Sequence, residues 1–230
     1  MKGPFLVVAA HPDDEALGCG GTIARWVREG RSGRVLLLAD GETSRVAENA
    51  AVDQQLLEHR QRAAQRAASI LGCELVTHSL PDNRMDGLEL LDVVKLVEAE
   101  IERSRPTAVL THHAGDVNID HRLVHEAVLA ACRPQPGHPV RKLLFFETVS
   151  STEWRPPGSV PPFQPNLFVD ISATLPIKLK ALEAYANEMR EFPHPRSMRA
   201  VEALARWRGA TVSVEAAEAF VLGRQLISDF

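Results

Sequence analysis

Cysteine is scarce in this 230-residue chain: Cys19, Cys73 and Cys132 are odd in number, widely spaced and without a CxxC pair. That usage argues against a disulfide scaffold and points to a reducing cytoplasm. Long apolar runs are missing as well. Nothing approaches the ~18 residues that a membrane span needs. Phe5–Ala10 is too short for a secretory signal and is followed at once by His11, Asp13, Asp14 and Glu15. Excess positive charge is the third absence. With 26 Lys and Arg against 30 Asp and Glu, the net charge is −4, so nucleic acid is not an expected partner.

What is present suits a folded protein. Apolar residues make up 45% of the chain and charged residues 24%. A chain of this length buries roughly 70% or more of its unfolded surface, so its core needs no disulfide or structural metal. One domain over residues 1–230 is expected.

Short β-branched runs alternate with long amphipathic ones. Residues 5–10, 34–40, 74–80, 108–112 and 143–149 read as strands, and residues 15–29, 46–71, 88–105 and 121–132 as helices. In the third helix Leu90, Val93, Val94, Val97 and Ile101 recur at steps of three or four, one stripe of a helix. The expected fold is α/β: a Rossmann-like, doubly wound, mostly parallel sheet with helices on both faces. Residues 154–165 then hold five prolines in twelve positions, which forbids a helix or an interior strand. This stretch is read as an ordered loop, since the segment beyond it is too short to fold alone. A C-terminal extension is expected there: a strand over 166–172, helices over 175–189 and 196–207, and a last strand over 219–227. Tyr185, on the first of these helices, could face an interface.

Two constellations carry chemistry. His11-Pro12-Asp13-Asp14-Glu15 comes directly after the first strand. One carboxylate at a helix N-terminus is ordinary capping, but three with a histidine in front are more than capping requires. Gly18-Cys19-Gly20-Gly21 lies inside the same helix against propensity, which signals close approach of another segment or a ligand. The second constellation comes after the fourth strand, where His112, His113, His121 and His125 put four of the nine histidines within fourteen residues, among Asp116, Asn118 and Asp120. In a doubly wound sheet the first and fourth strands are neighbours, and the crevice at their carboxyl ends binds ligands. Both constellations would open onto that crevice. Two imidazoles and a carboxylate suit zinc in a hydrolase or iron(II) in an oxygenase, and the His-x-x-Asp spacing on an α/β chain favours zinc.

His11-Pro12-Asp13-Asp14-Glu15 together with Asp120-His121 resembles the PIG-L/LmbE-like family of zinc-dependent N-deacetylases. Asp116–Arg122, Ser151–Trp154, Pro165-Asn166 and Pro193–Ser197 resemble its bacterial branch. The resemblance implies His11, Asp14 and His121 as zinc ligands, another divalent metal being an alternative, and Asp13 as general base. It implies Arg60 and Asp82 as substrate-binding residues. Arg62 is the alternative to Arg60, and Ala63 stands where a glutamate usually follows this arginine. Several family members carry a histidine three residues before the last ligand; this chain has Asn118, which can donate a hydrogen bond but cannot protonate a leaving group. His194, His112 and His113 are the candidate substitutes, and spacing alone assigns none of them.

The implied activity is hydrolysis of an N-acetyl group on an N-acetylglucosamine-type sugar or conjugate, a small-molecule partner, in a family whose members often form homo-oligomers. With aromatics at 5%, few stacking platforms exist for a long glycan, which favours a small or terminal sugar. Trp154 and Phe163, in the proline-rich loop, are the exceptions. The rivals are a zinc amidase acting on a larger acyl or thiol-conjugate amide, and a non-catalytic sugar-binding module on the same fold.

Overall fold

The first strand, β1 (Phe5–Ala9), is buried at every position. Such a strand must be covered on both faces of its sheet. The computed structural model describes residues 3–45, 53–158 and 160–227. It shows a seven-stranded sheet in the order β3-β2-β1-β4-β5-β7-β6. β2 (Gly33–Ala39), β3 (Glu74–Leu80), β4 (Ala108–His112) and β5 (Lys142–Phe146) run parallel to β1, with Val7 level with Val35 on one side and Leu110 on the other.

Alternation along the strands divides the core in two. Phe5, Val7, Val35, Leu37, Leu144 and Phe146 point to one face, where they meet α1 (Asp14–Arg28), α2 (Gln54–Leu71) and α5 (Leu175–Glu183). Leu6, Val8, Leu36, Leu38, Val109 and Leu143 point to the other, against α3 (Leu90–Ser104) and α4 (Ile119–Ala131). The α3 stripe is buried from Val93 to Ile101, whereas Leu90, the first residue of the helix, is 39% exposed. The helix expected over 46–71 is α2; residues 46–52 lie outside the described residues.

The C-terminal part adds β6 (Leu167–Asp170), α5, α6 (Met198–Ala210) and β7 (Ala217–Gln225). β7 inserts between β5 and β6, antiparallel to both, so the extension joins the same sheet. α5 stops at Glu183, six residues before the expected end, and turns carry the chain onward to Met189. Tyr185, read from the sequence as a possible interface residue, is buried inside those turns at 2% exposure. Its ring belongs to the core, and its hydroxyl finds a buried partner in Glu15.

The glycine cluster of α1 is explained by close packing against protein. A Cβ on Gly18 would collide with the Phe146 ring, and one on Gly21 would come within 2.9 Å of the Ile171 Cβ. The helix leaves helical geometry at Cys19 (φ −147°, ψ 21°). Glu218 there accepts from the Gly21 and Thr22 N–H groups, and Lys178 Nζ donates to the Leu17 carbonyl and to Glu218. Side chains thus replace backbone bonds that the break would leave unmade.

The proline-rich stretch forms no helix or strand among its described residues. It folds back over the end of β4: the Phe163 ring meets His113 edge-on, and the Pro161 carbonyl lies 3.3 Å from His113 Nε2. No described helix is long and apolar enough to cross a membrane.

Candidate metal centre

β1 and β4 are adjacent, and the chain leaves them in opposite directions, to β2 and to β5. The crevice at their carboxyl ends is where a doubly wound sheet binds ligands. His11 lies just past the end of β1. Pro12 and Asp13 make the turn, and Asp14 opens α1. His121 lies in the first turn of α4, whose N-terminus is capped by Asn118 Oδ1 accepting from Asp120 N–H.

These elements bring His11, Asp14 and His121 together although the two histidines lie 110 positions apart in the chain. One donor atom of each lies within 4.8 Å of the other two, and all three residues are buried. Asp14 Oδ2 is 3.3 Å from His11 Nδ1 and 3.2 Å from His121 Nε2. Yet His121 Nε2 and Asp14 Oδ1 make no hydrogen bond among the described residues. Buried polar atoms are rarely left so, and their presence in a buried group of two imidazoles and a carboxylate suits a cation.

The far side of each imidazole is committed. His121 Nδ1 faces Asp116 Oδ2 at 3.1 Å, so the neutral, ion-binding form of the ring keeps its proton on Nδ1 and its lone pair on Nε2. His11 Nε2 faces Asp120 Oδ2 and Asp82 Oδ1, each at 3.0 Å, leaving Nδ1 toward Asp14. Carboxylates behind ligating histidines fix the tautomer and raise ligand basicity. Asp120 is anchored in turn by the backbone N–H groups of Asn83 and Met85, and Asp116 by the hydroxyls of Ser151 and Thr152.

The titration behaviour follows from this crowding. Burial works against the charged form of His121, but Asp14 and Asp116 outweigh it and lift the imidazole to about 9. Burial also opposes the charge on His11, and Asp120, Asp14 and Asp82 together raise it above its ordinary value. Burial favours neutral Asp116 and Asp82, yet His121 beside the first and His11 beside the second hold each at about 2.

Asp13 sits beside this group at 1% exposure, in a left-handed backbone conformation (φ 113°). Its Oδ2 accepts from Arg196 Nη1 at 2.8 Å. Burial pushes its carboxyl up to about 6, with Arg196 pulling the other way. A cavity of about 100 Å3 opens here, lined by His11, Asp13, Arg60, Asp82, Asn118 and Arg196 together with Gly41, Ser44, Asn83 and Glu188. Among the described residues, no Phe, Trp or Tyr side chain is part of that wall.

Arg60 rather than Arg62 faces the cavity. It is buried and ion-paired with Glu188, whereas the Arg62 side chain is 68% exposed against Glu58. Asp82 is at the cavity, with its oxygens engaged by His11, by Ser44 Oγ and by Asn83 Nδ2. Asn118 lines the cavity too, its Nδ2 donating to Asn83 Oδ1. His194 is not among the lining residues. Its Nδ1 accepts from Arg196 N–H, and its ring meets Trp154 edge-on at 5.8 Å. His112 is fully buried with both nitrogens engaged, Nε2 accepting from Ala10 N–H and Nδ1 facing Thr148 Oγ1. His113 turns to the proline-rich loop.

The sequence assigns no role to Glu188 or Arg196, and it places Asp116 in the second constellation without marking it as the partner of His121. Asp116 and Arg196 lie inside stretches that resemble the family, and that was the available signal. Glu188 sits in irregular turns with no pattern to mark it.

Residues 6–132 match the family model described as PIG-L: GlcNAc-PI de-N-acetylase. The uncharacterized deacetylase YaiS of Escherichia coli K12 is 29% identical over 190 residues, covering 80% of this chain and 90% of its own. A 1D-myo-inositol 2-acetamido-2-deoxy-alpha-D-glucopyranoside deacetylase of Saccharomonospora viridis is 30% identical, covering 96% of this chain and 95% of its own. GalB, the 4-carboxy-2-hydroxymuconate hydratase of Pseudomonas putida KT2440, superposes with a TM-score of 0.80 over 100% of this chain and 99% of its own; at 21% identity it shares the fold alone. With more than half its length matched, the chain belongs to the PIG-L family of de-N-acetylases, enzymes that hydrolyse an N-acetyl amide.

Proposed function

We propose that this chain, acting as one domain, is a metal-dependent hydrolase that removes the N-acetyl group from an N-acetylglucosamine-type sugar or sugar conjugate in the cytoplasm. The observation that carries the proposal is the buried group of His11, Asp14 and His121, in which His121 Nε2 and Asp14 Oδ1 are left without a hydrogen-bond partner among the described residues. His11, Asp14 and His121 would hold the ion. Zinc is favoured, because two imidazoles and one carboxylate leave a position open as hydrolytic zinc sites do. When bound, the ion supplies Lewis acidity, lowering the pKa of water from 15.7 toward about 7 and polarising a carbonyl.

The chain's own groups do the rest. Asp13, at the cavity wall, takes a proton from water as its oxygen attacks the amide carbon. A carboxyl near 6 is a better base than an ordinary aspartate, and its placement matters more still. When the C–N bond breaks, the same carboxyl returns that proton to the departing nitrogen. Asn118 has no acidic proton, and both ends of its amide are engaged within the wall, so one residue serves as base and then acid.

The wall explains the choice of substrate class. Its polar side chains can read hydroxyls, and among the described residues its lining holds no Phe, Trp, Tyr or branched aliphatic side chain to seat a long acyl chain. That weighs against the larger-acyl amidase. Arg60 and Asp82 are placed to meet the sugar, Asp82 while also steadying His11. The S. viridis relative, whose substrate is a 2-acetamido-2-deoxy-glucopyranoside, supports the same class. The free thiols of all three cysteines suit a reducing compartment.

The test is acetate release from a panel of N-acetylated sugars, with and without chelator, alongside metal analysis of the purified protein. Chelator-sensitive release from glucosamine-type members is expected. Bound metal without release from any member would overturn the reading and leave a binding module.

A further inference from the structure

We infer that the C-terminal third of the chain clamps Asp13 from two sides, Arg196 holding its carboxylate and Tyr185, through Glu15, holding its backbone. Both would then be positioning residues for the base of the proposed deacetylation, on which this inference rests. Neither lies within the matched residues 6–132.

Asp13 needs holding. Its φ of 113° lies where side-chain-bearing residues are seldom found, and such conformations persist only when their surroundings over-determine them. One arm acts on the backbone. Asp13 N–H donates to Glu15 Oε2 at 3.1 Å, and Tyr185 OH donates to Glu15 Oε1 at 2.8 Å. Tyr185 is 2% exposed, so this link is shielded from water. The other arm acts on the side chain. Arg196 donates from Nη1 to Asp13 Oδ2 at 2.8 Å and from Nε to Ser150 Oγ at 2.7 Å. Two directions of a planar guanidinium are thereby fixed. Glu188, buried at 3% exposure, pairs with Arg60 through one oxygen and lies 3.9 Å from Arg196 Nη1 with the other. Its carboxylate thus lies between the two arginines.

The consequence is kinetic. A base works only within hydrogen-bond reach of the proton it removes, and a misplacement of 1 Å costs about 100-fold in rate. Arg196 also lines the cavity, so it must be distinguished from a residue that merely binds substrate.

The experiment uses the full chain loaded with zinc, in wild type, Arg196→Met, Arg196→Lys and Tyr185→Phe. Metal content, kcat and KM are measured on the sugar that wild type deacetylates, and wild type and Arg196→Met are crystallised. The expected result for Arg196→Met is full metal content, kcat about 100-fold lower, KM within about threefold, and a displaced Asp13 carboxylate. Arg196→Lys should recover part of the rate, and should Arg196→Met not fold, it carries the comparison. Tyr185→Phe should lower kcat about tenfold with KM unchanged. A change confined to KM, wild-type kcat in both Arg196 variants, or an unmoved carboxylate would overturn the clamp. Failure of wild type to deacetylate any sugar would overturn the functional reading instead, and the clamp would then be decided by the Asp13 position in the two crystals.

Discussion

His121 Nδ1 lies 3.1 Å from Asp116 Oδ2, and that contact decides which nitrogen of the imidazole is left to bind an ion. Asp116 is itself locked by Ser151, Thr152 and the Asn118 N–H, so the ring cannot turn without breaking several bonds.

Asp116→Asn should therefore weaken metal binding by roughly 10–100-fold, the usual effect of losing the partner behind a ligating histidine. His121→Ala should abolish binding while the domain stays folded. Competition with a calibrated chelator, paired with circular dichroism, reads both. Unchanged affinity in Asp116→Asn would remove its orienting role, and unfolding of His121→Ala would make the metal structural.

Asp13→Asn keeps the shape of the side chain and removes its basicity. Turnover should fall by about 10²–10⁴-fold, the range general-base catalysis supplies, with metal content unchanged. Steady-state kinetics and elemental analysis on the same sample check it. Wild-type turnover would take the base away from this residue.

Glu15 gives a pH dependence. Burial raises its carboxyl from an ordinary 4.5 to about 7, against the opposing hydrogen bond from Tyr185. A raised carboxylate contributes stability that is present below its unfolded value and is lost as pH rises through its folded one. Wild type should therefore lose on the order of 3 kcal/mol from this group between about pH 4.5 and 7, at 1.36 kcal/mol per unit. Glu15→Gln mimics the protonated form. Its stability relative to wild type should rise over that window in urea titrations, and a flat difference would show that Glu15 stays ionised.

Gly18→Ala tests the packing account of the glycine cluster. The added methyl meets the Phe146 ring, so about 1–3 kcal/mol of destabilisation is expected. For a chain of this size that is a fall in Tm of about 2–4 °C per kcal/mol. An unchanged Tm would mean the ring yields freely.

The division between what sequence shows and what folding decides is visible residue by residue. The strand and helix alternation and the β1–β4 adjacency were legible, because each rests on a local period or a topological rule; that His11, Asp14 and His121 lie together was an expectation of the family resemblance. The end of α5 was not legible, since Leu175–Met189 keeps an apolar pattern while Tyr185 is drawn inward to Glu15. Nor was the choice between Arg60 and Arg62, neighbours on one helix that only the cavity tells apart.

By itself the sequence determined the order of the elements and the chemistry placed at two strand ends. Tertiary structure alone decided which groups stand behind those ends. Arg196 reaches Asp13 across 183 positions, and Asp116 rather than another acid backs His121. Such pairs depend on how helices seat against the sheet, a packing outcome that no periodicity within either segment encodes.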